Sequence, residues 1–402
     1  MGSNPTLSAI AELSLTDILY RSQALEVRRV VAGNGQRQVV TFDSYHEPPG
    51  LDRAGFGEAF FQTEGITATH VITYGNNWFQ YTEIQDVLSI IQQACQGAER
   101  LLSYGSSMGG YAALRFAGAV GAKAALALSP QYSVNPRKAP FETRWASDRR
   151  RIQFIAALEQ GITQVPLMVM AYDSRLDVDA KHARHLSREA DIAEIPLPFA
   201  GHPVGPFLHD VELLRPLVTK VLDGTFRQED FPATAHQRRK SSPHWLANVA
   251  ERHPRASAER GIMLARRAVF LAPGHAGMHD ALARRLSASA RFAEAIEAHR
   301  AAVRIEPVPD YLWGLSKTLH ASGDVAGALE VAKRLQNLAP QTAGYHAWAA
   351  RLHEAQGNLL GALADLRRAL DHDRTNRGYR FQLLQMTWRV TWARWRRALL
   401  GR

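Results

Sequence analysis

At 402 residues the chain exceeds the roughly 100–200 residues of one compact domain, so at least two domains are expected. Its 46% hydrophobic and 21% charged residues exclude a long disordered or collagen-like polymer. The formal net charge of +10 is unevenly placed: residues 1–230 carry 21 Lys and Arg against 25 Asp and Glu, and residues 231–402 carry 27 against 13. A basic C-terminal part favours acidic partners, whether nucleic acid, anionic lipid headgroups or acidic protein, without choosing among them.

Met1 to Leu15 has neither a basic leader region nor an apolar run of signal-peptide length, and no stretch elsewhere approaches about 18 uninterrupted apolar residues. A soluble, cytoplasmic protein is expected. The single cysteine, Cys95, excludes an intramolecular disulfide and reads as a small buried apolar residue.

Residues 1–230 alternate short apolar or β-branched runs with amphipathic stretches, the pattern of an α/β domain with a mostly parallel sheet. In chain order the spacing predicts strands at Glu26–Ala32, Gln38–Tyr45, His70–Tyr74, Leu101–Gly105, Ala124–Ser129, Leu167–Tyr172 and Ile192–Pro196. Helices are predicted at Arg53–Gln62, Glu83–Cys95, Met108–Ala119, Asp148–Glu159, Val178–Ala190 and Val211–Leu222. The run Phe231–Pro243, with two prolines and the basic cluster Arg238, Arg239 and Lys240, reads as an exposed linker.

From residue 244 the pattern is helical and self-similar. Gly261, Ala295, Ala328 and Ala362 recur at intervals of 34, 33 and 34, and Pro273, Pro307 and Pro340 at 34 and 33. Gly323 and Gly357 each stand five residues before a register alanine, where a turn needs a permissive residue. With this period, residues 244–376 resemble the tetratricopeptide family, in three to four repeats. The bulky aromatic positions are irregular, and a generic array of helical hairpins is the other reading. The basic segment 377–402 places Trp388, Trp392 and Trp395 at helical spacing among Arg389, Arg394, Arg396 and Arg397. Such a face packs as a cap on the last repeat or, alternatively, contacts an anionic membrane surface.

The chemistry-bearing motif is Leu101–Leu114, LLSYGSSMGGYAAL. It is an apolar strand running through G-x-S-x-G (Gly105, Ser106, Ser107, Met108, Gly109) into an Ala-rich helix. Small neighbours permit the tight turn that lifts the serine oxygen above the sheet, and the helix N-terminus favours developing negative charge. A serine hydroxyl is a weak nucleophile without a base, and an acid and a base follow in chain order. Asp173 directly ends the Leu167–Tyr172 strand and is the first candidate acid, with Asp177 as the alternative; Asp177 or Asp179 could instead cap the helix that follows. His202, in Gly201-His202-Pro203, is the candidate base, whereas His182 and His209 lie in or beside helical patterns and read as surface residues. For the oxyanion hole, one donor is the Met108 backbone amide. The other is sought in the loop Val71–Trp78, where the Asn76 amide is preferred and Asn77 held in reserve.

Carrying this elbow and the Ser–Asp–His order, residues 20–225 resemble the α/β-hydrolase superfamily. The H-G-G-G run of many esterases is absent. The resemblance implies a serine hydrolase, an esterase or related acyl hydrolase or acyltransferase, working through an acyl-enzyme with Ser107, His202 and Asp173 and needing no cofactor or metal. The repeats would recruit a protein partner or the substrate. The competing reading is a non-catalytic hydrolase-fold scaffold whose repeats mediate protein–protein interaction. The segment between Ser129 and Val165 is too short for a large lid. Its Arg137, Lys138, Arg144, Arg149, Arg150 and Arg151 form either a rim for an anionic or carbohydrate-bearing acyl substrate or a solvated loop. Nucleic acid is not expected, since no motif for it is present.

Overall fold

The computed structural model describes residues 16–253 and 257–400. Met1–Leu15, expected to carry no leader, lies outside the described residues, as do 254–256 within the expected repeats and 401–402 at the end of the tail. The chain divides into two compact units at residues 245 and 246.

In the first unit eight strands form one mixed sheet: β1 (Thr16–Arg21), β2 (Leu25–Val30), β3 (Arg37–Phe42), β4 (Thr67–Thr73), β5 (Arg100–Ser106), β6 (Ala124–Leu128), β7 (Leu167–Tyr172) and β8 (Ala193–Pro196). Their order is β1-β2-β4-β3-β5-β6-β7-β8. The pairs β1/β2 and β2/β4 are antiparallel, and every pair from β4/β3 to β7/β8 is parallel. Parallel strands buried on both faces read as continuous apolar runs, and alternate residues serve two cores. Ala125, Ala127, Met168 and Met170 belong to one cluster, Leu126, Leu128, Val169 and Ala171 to the other.

The helices of this unit are α1 (Glu58–Thr63), α2 (Ile84–Ala94), α3 (Met108–Arg115), α4 (Ala146–Arg151), α5 (Asp177–Glu189), α6 (Gly205–Asp210), α7 (Leu214–Leu222) and α8 (Asp230–Arg238). α2, α3 and α5 feed the first cluster through Ile84, Val87, Tyr111 and Leu186. α1, α6, α7 and α8 feed the second through Phe61, Phe207, Leu217 and Phe231. The sheet is therefore covered on both faces.

Three expectations change here. The helix predicted at Asp148–Glu159 is α4 followed by a separate 3-10 turn at Ala156–Glu159. β1 was not predicted, because only the short run Ile18-Leu19-Tyr20 is apolar and most of the strand is exposed. The exposed linker predicted at Phe231–Pro243 is largely α8 and a 3-10 turn, with Phe231 and Ala235 buried in the second cluster and Trp245 packed against it. Burying a phenylalanine contributes about 1.5–3 kcal/mol, which outweighs the polar character of its neighbours.

The second unit is a helical repeat. After α9 (Pro243–Arg252), which crosses the division, come α10 (Ala258–Leu271), α11 (Ala276–Ala288), α12 (Phe292–Ile305), α13 (Pro309–Ala321), α14 (Val325–Leu338), α15 (Ala343–Ala355), α16 (Leu359–His372) and α17 (Arg377–Leu400). α10, α12, α14 and α16 begin at residues 258, 292, 325 and 359, intervals of 34, 33 and 34. The fourth residue of each is the register position Gly261, Ala295, Ala328 or Ala362, and all four are buried. At the preceding N-cap, Ser257, Asp324 and Asn358 accept a first-turn amide, while Arg291 cannot. One position earlier, Gly323 and Gly357 take φ of 93° and 75°, and Ala290 is held at 57°.

Candidate active site

The turn between β5 and α3 places Ser107 at φ 53° and ψ −114°, a conformation that costs a non-glycine residue energy. Packing and hydrogen bonds hold it there. The Ser107 amide donates to the Leu128 carbonyl at 2.8 Å, and the Tyr111 amide donates to the Ser107 carbonyl at 3.1 Å. The glycines allow close approach rather than flexibility. A Cβ on Gly105 would sit 2.2 Å from the Gly109 carbonyl oxygen, and one on Gly109 would sit 2.2 Å from that of Phe42. The turn is thus wedged against the end of β3.

Ser107 Oγ lies 2.9 Å from His202 Nε2, and His202 Nδ1 lies 2.8 Å from Asp179 Oδ2. Asp179 is buried in the first turn of α5 and also accepts from Arg144 Nη1 at 2.9 Å. A carboxylate facing Nδ1 fixes the tautomer: Nδ1–H donates to Asp179, leaving Nε2 to accept the Ser107 hydroxyl proton.

This arrangement corrects the expected acid. Asp173 is fully buried, but it accepts the backbone amides of Arg175, Phe199 and Gly201, each at 2.9 Å. It therefore shapes the loop that carries His202 without pairing with the imidazole. Asp177 is exposed and pairs with Lys181 at 2.5 Å. Asp179, set aside in the sequence as a helix cap, is the carboxylate that reaches the ring.

His182 is also not at the surface. It is fully buried, accepts the Tyr132 amide at Nδ1 (3.1 Å) and faces Glu142 through Nε2 at 3.0 Å. Burial keeps its pKa below the ordinary histidine value. Burial works to raise the Glu142 carboxyl, but hydrogen bonds from His182 and Arg144 and the guanidinium charge outweigh it and hold the pKa at about 2. Glu142 in turn grips Arg144 at 2.7 Å, so a polar chain runs from buried His182 and Glu142 through the partly exposed Arg144 to buried Asp179. His209 is exposed.

The basic residues of the segment after β6 are largely spent internally. Arg149 donates to the Val134 and Ala139 carbonyls, Arg151 pairs with Asp148, and Lys138 bonds the Glu159 carbonyl. Arg137, Arg144, Arg150 and Arg151 are exposed to solvent, the last two on α4. Tyr45 and Trp145 rings lie 4.6 Å apart, with Trp78 5.6 Å from Trp145.

Asn76, whose backbone amide was the expected second oxyanion donor, lies in the loop after β4 and is held through its side chain. Its side chain accepts the His46 amide at 3.0 Å and donates to the His46 carbonyl at 2.7 Å. It thus staples the loop after β4 to the loop after β3. Because β3, not β4, pairs with β5, with Phe42 opposite Gly105, the backbone beside the elbow is that of residues 43–45. Asp43 anchors the loop, accepting from Thr73 N at 2.7 Å and Arg53 Nη2 at 2.5 Å. Cys95 is buried, and burial raises its thiol pKa, which suits a packing residue.

In the second unit, Trp388, Trp392 and Trp395 do not pack as a cap. They are 67%, 49% and 54% exposed, and Met386 and Val390 make the contact with the last repeat instead. With Phe381 and Leu384 they form a stripe at intervals of 3, 4, 4 and 3 residues along the solvent face of α17. Among the described residues no helix is long and apolar enough to cross a membrane.

No protein-family model matches the chain, and no curated protein matches it. Among solved structures it is similar to a crystal structure of MamA at 16% identity over 39% of this chain and 93% of that one, with a TM-score of 0.32. It is similar to the Sgt2 TPR domain from Aspergillus fumigatus at 16% identity over 30% and 81%, TM-score 0.28. YrrB, described as a TPR protein with an unusual peptide-binding site, is 13% identical over 38% and 80%, TM-score 0.33. Two of these neighbours are described as TPR proteins, and in this chain the C-terminal unit is a helical repeat whose helix pairs recur at intervals of 33 and 34 residues.

Proposed function

We propose that the first unit is an α/β-hydrolase domain and that Ser107, His202 and Asp179 are the catalytic triad of a serine hydrolase acting on an ester or related acyl bond. The observation that carries this reading is the unbroken relay from Ser107 Oγ through both ring nitrogens of His202 to a buried carboxylate, at 2.9 and 2.8 Å. The antiparallel β2, the insertion of β3 between β4 and β5, and the strained serine at the β5–α3 turn support the fold assignment.

In the proposed mechanism Ser107 Oγ attacks the acyl carbon while its proton passes to His202 Nε2. The carbonyl electron pair moves onto oxygen, where the Met108 amide and an amide of the loop after β3 receive it. His202 then protonates the leaving group, and water or another acceptor releases the acyl-enzyme. Asp179 holds the imidazole tautomer and stabilises the imidazolium, while Asp173 holds the loop that presents it.

The repeat region is proposed to recruit a protein partner or the substrate. Grooves of roughly 720 and 410 Å³ share Ala347, Arg351 and Gln382 and are lined by Trp313, Lys317 and Trp348 on one side and Trp388 and Arg389 on the other. A scaffold in which only these repeats act is the second reading, favoured by the extent of that grooved surface. For α17 we propose contact with an anionic membrane surface. Its exposed apolar stripe lies on a helix with six arginines and no acidic residue, a composition that repels a second copy and suits anionic headgroups.

A fluorophosphonate probe separates the readings. The expected result is labelling of the wild type and none of Ser107→Ala; an unlabelled wild type, or equal labelling of both, removes the hydrolase assignment.

A further inference from the structure

Gln131 follows the C-terminal end of β6 and is fully buried. Its amide nitrogen donates to Ser107 Oγ at 2.9 Å, and its Oε1 accepts from Trp78 Nε1 at 3.2 Å. The indole N–H is a donor only, so it decides which way the amide points: flipping the group would set N–H against N–H. The nitrogen is therefore locked toward the serine oxygen. It has two hydrogens, and among the described residues its one hydrogen-bond partner is Ser107 Oγ.

We infer that Gln131 is a further catalytic residue, a side-chain donor to the oxygens of the tetrahedral intermediate; this rests on the serine-hydrolase reading. Before attack, Oγ donates its proton to His202 Nε2 and accepts from Gln131. As Oγ bonds to the acyl carbon, its proton goes to His202 and the carbonyl electron pair becomes an oxyanion on that same carbon. The oxyanion is then separated from Oγ by a single carbon, and the second N–H of Gln131 is free to reach it. When the intermediate collapses in deacylation, the first N–H supports Oγ as it departs with its bonding pair and regains its proton from His202. A preorganised neutral donor in a dry site serves both events without reorganisation, whereas a carboxylate at this position would oppose them.

The alternative role for Gln131 is to tie the loop after β6 to Trp78, which would affect folding and leave chemistry unchanged. Gln131→Met keeps the length and removes both donors. Gln131→Asn withdraws the amide by one methylene, and Trp78→Phe frees it to flip. The experiment measures the rate of fluorophosphonate labelling and kcat and KM on an activated short-chain ester, together with the melting temperature, for these variants, the wild type and Ser107→Ala.

Removal of one oxyanion donor lowers kcat by about 100- to 1000-fold. A loss of that order is expected in Gln131→Met and Gln131→Asn, a smaller one in Trp78→Phe, with KM changed only a few-fold in folded protein. Wild-type labelling and kcat in whichever of the folded Gln131 variants is obtained would overturn the role of Gln131 while leaving the hydrolase standing. An unlabelled wild type, or labelling that survives Ser107→Ala, would overturn both.

Discussion

Asp179 and Arg144 meet at 2.9 Å on the side of the carboxylate opposite His202, so the carboxylate is held between the imidazole and a guanidinium that Glu142 itself holds. Both oxygens of Asp179 are thereby fixed. The group that orients the imidazole is immobilised by the segment after β6, 35 residues earlier in the chain.

This relationship sets Asp179 apart from Asp173 in a way that kinetics will read. Asp179→Asn should fold and lose about 10⁴-fold in kcat, because an amide facing Nδ1 favours the wrong tautomer. Asp173→Asn should instead lower stability by about 2–4 kcal/mol, since at least one of the three backbone amides it accepts loses a charged acceptor. Turnover and thermal unfolding of the two variants test the assignment. Loss of kcat in a stable Asp173→Asn, with Asp179→Asn active, would reverse it.

Acid should destabilise the first unit through His70. This ring is fully buried between strands, 2.6 Å from Thr41 Oγ1, and burial lowers its pKa to about 4, with Glu58 raising and Arg28 lowering it by smaller amounts. The folded form keeps the ring neutral while the unfolded chain takes a proton below about 6.5, so stability is full above that pH and falls as the pH drops toward 4. The loss is on the order of 3 kcal/mol. Urea unfolding of the wild type and His70→Leu across this range should show a steeper decline in the wild type; parallel curves would refute the attribution.

Ala290 occupies the left-handed turn position that glycine fills at 323 and 357. A Cβ there costs about 1–2 kcal/mol, part of which glycine returns through its greater freedom in the unfolded chain. Ala290→Gly should therefore stabilise the repeat by about 1 kcal/mol, and Gly323→Ala should destabilise it by a similar amount. Chemical denaturation followed by helical circular dichroism decides; a destabilised Ala290→Gly contradicts the backbone argument.

The stripe on α17 predicts sedimentation of the protein with vesicles containing anionic lipid, weakened by salt and absent with neutral vesicles. Replacing Trp388, Trp392 and Trp395 together with alanine should abolish it, with the helical signal retained because the buried contact with the last repeat is made by Met386 and Val390. Equal binding to neutral vesicles, or by the triple variant, removes the membrane proposal.

The features that local spacing encodes were legible in the sequence. The elbow at Gly105–Gly109 and the strand and helix rhythm around it depend on neighbours within one or two turns, the 33- to 34-residue helix period on a recurring pattern, and His202 was marked by its own glycine-flanked loop although it lies 95 residues from Ser107. Buried runs and small residues announce them directly. What escaped was decided by contacts distant in the chain. Asp173, Asp177 and Asp179 lie within seven residues and are chemically alike; only the direction of the first turn of α5, with Arg144 waiting beside it, selects the third. The loop beside the elbow could not be chosen while the crossing of β3 between β4 and β5 was unknown, since that crossing sets residues 43–45, not the loop after β4, next to the end of β5. Gln131 carries no motif at all. Its significance comes from an indole 53 residues away turning its amide toward Ser107, an orientation that burial enforces and sequence does not express.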